Sequence, residues 1–219
     1  MSDVSESGKI QPGIPSNDVE FEKDFGVGLL EFVKTDARLS PIYHRFILEC
    51  ENIIEVIVKG KANEANMYSL EKRFNALAEK IKELDAEIGS LAKEKEGMPD
   101  VEIKKIDDKI KRLGRKKCGE LRAADSEFHG QLFQIGGNAD NLKNLDSKMN
   151  INLQNEIWRS IVDANHYMKL QESHSEIFAS LKTGMETGEN GKETTRQRAI
   201  KAMQSHFSVI LVHYNSAIQ

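Results

Sequence analysis

The sequence predicts an all-α protein, an antiparallel bundle of about six to seven helices with an inserted coiled-coil hairpin. Apolar residues recur at three- and four-residue spacing through most of the chain, the period of one helix face. No stretch alternates apolar and polar residues over a useful strand length. Only four prolines interrupt the chain, and aromatic residues make up 6% against 30% charged residues, a balance that suits long amphipathic helices better than a β-sandwich.

Residues 1–24, MSDVSESGKIQPGIPSNDVEFEKD, are rich in Ser, Asp, Glu, Gly and Pro and read as a flexible tail. The bundle is expected over 25–219. Its first segment, 25-FGVGLLEFVKTDARLS-40, is apolar enough for a short docking helix despite two glycines. A firmer helix begins at Ser40-Pro41, where serine serves as N-cap and proline fits the first helical position. Ile42, Phe46, Cys50, Ile53, Ile54 and Ile57 follow at helical spacing, and Gly60 supplies the stop. Cys50 reads there as a small buried apolar residue rather than a reactive thiol.

From Asn66 the pattern becomes regular. Leu70, Phe74, Leu77, Ile81, Leu84, Ile88 and Leu91 alternate four- and three-residue steps, a heptad seam. The segment 95-KEGMPD-100 breaks it, and Ile103, Ile106, Ile110 and Leu113 form a second stripe among charged residues. Together they make an antiparallel hairpin, a coiled arm over about residues 77–113 whose first helix is on the order of 40 Å long. The patch 111-KRLGRKK-117 has no interleaved aromatics and reads as a solvated face rather than a nucleic-acid site.

The second stripe runs on into 125-DSEFHGQLFQIGGN-138, where the glycines end the helix and Asn138 or Asp140 can cap the next. Leu142, Leu145 and Met149 suggest a further short helix. Leu153, Ile157, Trp158 and Ile161 mark another, with Trp158 as a core anchor, and 163-DANHYMKLQES-173 leads into 174-HSEIFASL-181. The stretch 183-TGMETGENGKE-193 reads as an exposed glycine-rich loop. A last helix over 194–218 presents Ala199, Met203, His206, Ile210 and Ala217 along one stripe.

Charge and cysteine usage exclude several classes of function. The net charge is −4 and no basic stripe dominates, so nucleic-acid binding by the chain alone is not expected. Two cysteines, Cys50 and Cys118, are too few for a disulfide framework. Met1 is followed by Ser, Asp and Glu, unlike a signal peptide, and the longest apolar run, 207-FSVILV-212, is too short to span a bilayer. A cytoplasmic protein without a membrane partner is the expectation.

Asp125 and His129 are four residues apart and share one helix face, which Leu121 and Leu132 extend as an apolar stripe. His174 precedes Ile177, Phe178 and Leu181 on the apolar side of its helix, and His206 lies between Met203 and Ile210. One carboxylate and three imidazoles on inward faces of a bundle converge on a metal site. Such a donor set suits zinc or nickel, with manganese or iron also compatible. His213 lies about 10 Å along the axis from His206 and cannot ligate the same ion; it reads as structural or surface, as do His44 and His166. No general base stands beside the four ligands, Glu127 being on the other side of its helix, so the chain is not expected to be an enzyme.

The run 125-DSEFHGQLFQIGGNADNL-142 resembles the D-x-x-F-H … G-N … L signature of the FCD family, the C-terminal effector-binding domains of FadR-type regulators in the GntR class. The segment 174-HSEIFASLKTG-184 resembles that family's next histidine motif, and 202-AMQSHF-207 its last, Met-x-x-His on the terminal helix. The resemblance covers roughly residues 40–219. It implies an all-helical bundle, usually a homodimer, with a divalent metal on Asp125, His129, His174 and His206 and open positions for a small carboxylate effector.

The family's first helix usually carries an arginine for the effector carboxylate. Here Cys50 and Glu51 stand in that neighbourhood, with Arg45 one turn earlier. Asn138 of the first motif and Arg159 beside Trp158 complete the expected effector contacts. FCD domains normally follow a winged helix-turn-helix, and about forty residues before the first bundle helix are too few for one. The expected function is therefore metal-dependent sensing of a small organic acid without a DNA-binding module. The alternative is a structural or partner-binding protein in which the hairpin mediates assembly and the metal only staples the bundle.

Overall fold

Seven helices and no strand make up the described residues of the computed structural model, which are 40–146, 151–186 and 189–217. They are α1 (Ser40–Val58), α2 (Glu64–Glu94), α3 (Asp100–Gly136), α4 (Ala139–Asp146), α5 (Ile151–Asp163), α6 (Tyr167–Glu186) and α7 (Glu189–Ala217). The tail expected over 1–24 and the docking helix expected from residue 25 lie outside the described residues, as do Met149 and the side chains of Ile42, Leu145 and Ala217. No described helix is long and apolar enough to cross a membrane.

The heptad seam forms the spine. Leu70, Leu77, Ile81, Leu84 and Leu91 of α2 are buried against α3, which answers with Ile106, Cys118 and Leu121. Asn63 caps α2 by accepting from the Asn66 amide at 2.8 Å. The turn between the helices passes through Gly97 at φ 80, a conformation that favours glycine. The base of the hairpin belongs to the bundle: the Phe74 ring stacks on Phe178 of α6 with centroids 5.1 Å apart, and Gly114 sits against Val162 of α5. The projecting part of the arm therefore begins later on α2 than the onset of the heptad pattern.

Beyond the arm, α6 pairs with α7, and α5 packs on both α3 and α7. Helix α1 crosses this group. It places Phe46 against the Phe207 ring at 4.8 Å and Ile57 against Gly184 of α6. The described part of the loop expected over 183–193 is helical, residues 187 and 188 lying outside the described residues. Residues 183–186 finish α6 and 189–193 begin α7. A close approach accounts for Gly184: a Cβ there would stand 3.1 Å from Ile57 Cγ2, so this glycine marks tight helix packing rather than a turn.

A second close approach fixes α1 on the end of α3. Buried Asn52 donates to the Leu132 carbonyl and accepts from Asn138 Nδ2 at 3.2 Å. Gly136 must be glycine here, because its Cβ would fall 1.7 Å from Asn52 Oδ1. Gly137 follows at φ 84, and the Asn138 amide bonds back to the Phe133 carbonyl at 2.9 Å, a left-handed helix stop. Lys61 adds a cation at that end, donating to the Gly136 carbonyl at 3.0 Å.

Gly136→Ala should therefore displace Asn52 and lower stability by about 2–3 kcal/mol. Gly119→Ala, on the same helix with open space around it, should be neutral or stabilising by up to about 1 kcal/mol. Urea unfolding of the two variants side by side checks the pair.

Candidate metal centre

Heptad packing of α2 on α3 sets the rotation of α3, and that rotation turns Asp125 and His129 inward between Leu121, Phe128 and Leu132. His174 enters from α6, one turn before buried Ile177, and His206 from α7, beside buried Met203 and Phe207. All four side chains are buried, and one ligating atom from each lies within 4.8 Å of the others. His129 Nε2 and His174 Nε2 are 3.1 Å apart. Asp125 Oδ1 stands 3.1 Å from His174 Nε2 and 3.7 Å from His129 Nε2. The His206 ring lies 4.6 Å from that of His174 and 4.9 Å from that of His129, centroid to centroid.

The outward nitrogens have their own partners. Glu49 of α1, itself buried, places Oε2 2.5 Å from His129 Nδ1, a close ion pair rather than a well-aligned hydrogen bond. Arg45 holds the other carboxylate oxygen, with Nε donating to Glu49 Oε1 at 2.9 Å. A carboxylate at Nδ1 keeps the proton there and leaves Nε2 its lone pair. His206 reaches the same tautomer by another route. Ser173 Oγ donates to the Leu170 carbonyl at 2.7 Å, so it can only accept from His206 Nδ1, 3.3 Å away. That leaves His206 Nε2 for the cluster.

Electrostatics separate acids from imidazoles. Burial pushes Glu49 up, but His129 and Arg45 outweigh it and hold its carboxyl down to about 2. Burial also opposes ionisation of Asp125, yet the imidazoles of His129, His174 and His206 hold it well below the usual carboxylate range. Burial depresses His174, and His206 still more, so both favour the neutral form. His129 moves the other way: burial lowers it, but Glu49 and Asp125 raise it further.

These donors fit a divalent cation. Asp125 Oδ1 is buried without a well-aligned hydrogen bond, with only the ring nitrogens of His174 and His129 near it at 3.1 and 3.7 Å, and a buried carboxylate oxygen is costly unless a cation or donor meets it. Three imidazoles and one carboxylate oxygen match the ligand chemistry of zinc and nickel. Asp125 and His206 also line a cleft of about 50 Å³, room for a few water-sized groups. Arg45, Glu49, Arg122, Ser126 and Gln154 form its polar wall, and Ile157, Trp158, Phe207 and Ile210 its apolar one.

The four expected ligands thus come together. Of the expected effector residues, Arg45 lines the cleft, whereas Asn138 is bonded to Asn52 away from it. Arg159 is exposed and lies near Cys118 instead. Trp158, expected as a core anchor, is half-buried in the cleft wall. His213 stays apart from the metal group, bonded to Ser160 Oγ at 2.7 Å and to His166 at 2.8 Å.

Sequence reasoning passed over Glu49 and Arg122. Glu49 carried a signal, since it falls on the buried stripe between Phe46 and Ile53 and four residues after Arg45. Arg122 lies one turn before Ser126 on the cleft side of α3, with Nη1 donating to Asn155 at 2.7 Å.

Glu49→Gln should weaken metal binding by about 10- to 100-fold while the fold persists, read by competition with a chromogenic chelator. Burial, with Glu49 and Glu51 adding to it, pushes the Cys50 thiol well up, and burial raises Cys118. Neither thiol should react with Ellman's reagent at neutral pH until the chain is unfolded, when both should. No known protein family, characterised protein or solved structure matches this chain.

Proposed function

We propose that the chain is a metal-dependent sensing domain for a small organic acid, of the kind its resemblance to FCD domains implies. One observation carries the reading: Asp125, His129, His174 and His206 form a buried donor set, and two of them, Asp125 and His206, line a cleft that also presents Arg45 and Arg122. A divalent ion, zinc or nickel by donor type, would be held by the four side chains and would supply Lewis acidity toward an anionic ligand. The guanidinium of Arg122 faces such an anion from the polar wall, and Arg45 adds positive charge beside Glu49. Trp158 and Phe207 offer an apolar surface for the rest of the ligand.

The role is binding rather than catalysis. Glu49, the other buried carboxylate among the described residues, is engaged by His129 and Arg45 and is not free to move a proton to a ligand. A ligand that draws α3 and α7 together through the ion favours one arrangement of the bundle over another, which is the requirement for sensing. On this proposal the protein acts in the cytoplasm as a homodimer.

Protein purified without a metal-affinity tag should contain about one equivalent of divalent metal by mass spectrometry of the elements. Chelation should lower the melting temperature, and His174→Ala should abolish both the metal and the chelator response. In metal-loaded protein, Arg122→Gln should weaken binding of small di- and tricarboxylates by about tenfold in calorimetry without loss of metal. Metal-free protein whose melting temperature added zinc or nickel fails to raise would overturn the reading.

A further inference from the structure

The projecting part of the arm carries a groove between α2 and α3, floored by Leu91 and Leu113. Its two walls differ in charge. On the α2 side stand Glu87 and Glu94, and on the α3 side Lys109, Arg112 and Lys116, all exposed. Elsewhere the hairpin pairs its charges across the seam: Lys95 with Asp107, Lys80 with Glu120 at 3.2 Å, and Lys117 with Glu83 at 3.9 Å. The five groove residues form no ion pair among the described residues.

The spacing of the two walls is the same. Glu87 and Glu94 are one heptad apart on α2, as are Lys109 and Lys116 on α3, so each stripe extends about 10 Å. The geometry points to a second copy of this chain as the occupant, with the two arms packed groove to groove. A two-fold axis running along the arms sets α2 of one copy antiparallel to α3 of the other. Glu87 then faces the partner's Arg112 and the partner's Lys116, and Glu94 faces the partner's Lys109. The same contacts repeat on the other side of the axis, as an isologous interface requires. A two-fold axis across the arms would instead oppose α2 to α2 and place like charges together, which is unfavourable.

A polyanion is a poorer occupant, because the acidic wall lies beside the basic one along the whole groove. The four-helix packing also covers Leu91 and Leu113, adding apolar contact to the charge match. The flanking charges set the choice of partner, as they do at the edges of a coiled-coil seam.

Charge reversal tests the pairing in the full chain. The variant Glu87→Lys/Glu94→Lys and the variant Lys109→Glu/Arg112→Glu/Lys116→Glu change exposed residues only, so both should keep native helicity and metal content. Wild-type protein should self-associate in sedimentation velocity and dissociate as salt is raised. Each variant alone should lose at least about tenfold in association. An equimolar mixture of the two should recover it, because both halves of the mixed interface then oppose unlike charges. A monomeric wild type at low salt, an association that neither reversal weakens, or a mixture without recovery would overturn the inference. Metal content measured on the same samples keeps this result separate from the fate of the sensing reading.

Discussion

Glu49 is buried on α1, and a carboxylate removed from water is tolerated only where cations or N–H groups meet both of its oxygens. His129 meets one and Arg45 the other. This arrangement ties α1 to α3, holds the His129 ring at one orientation and fixes which of its nitrogens points toward Asp125, His174 and His206. Removing either partner from a buried pair of this kind costs on the order of 3–5 kcal/mol, because the remaining charge stays buried. The placement of α1 and the readiness of the donor set thus rest on the same contact.

Around that contact the helices approach too closely for ordinary side chains. Asn52, one turn after Glu49, occupies the space that a Cβ at position 136 would need. Gly184 allows α6 to come up against Ile57 further along α1. The polar outer partners and the glycines work together: the first set the orientation of the imidazoles, and the second let α1 sit near enough for Glu49 to reach. Away from the donor set, Ser160, His213 and His166 form a separate hydrogen-bonded chain joining α5, α7 and the turn before α6.

The fold was legible because its signals were local and repeated. The heptad run from Leu70 to Leu91 predicts α2, and 136-GGN-138 predicts the end of α3, which stops at Gly136. Asp125, His129, His174 and His206 were legible for a similar reason, being polar residues at positions where the helical period demands apolar ones. What escaped depended on relations between helices. Gly184 looks like a loop glycine in sequence, and only the position of Ile57 reveals a packing contact. Glu49 falls on the buried stripe of α1, but that stripe does not say what meets the carboxylate; its pairing with His129 follows from where α1 meets α3. Arg159 and Arg122 are equivalent in sequence character, and the rotation of α5 and α3 alone puts one in solvent and the other at the cleft.

The length and continuity of α3 have a mechanical consequence. It runs unbroken for 37 residues from Asp100 at the arm's turn to Gly136, carrying the basic wall of the groove on its outer half and Asp125 and His129 on its inner half. About 38 Å of helix separates Asp100 from Asp125 at 1.5 Å per residue. A helix of that kind acts as a lever with its short end in the donor set. A tilt of about 5° at Gly114, where the helix leaves the bundle, sweeps the arm's end through roughly 2 Å. Adjustments too small to disturb the packing around Phe128 are thus magnified where the arm meets its surroundings.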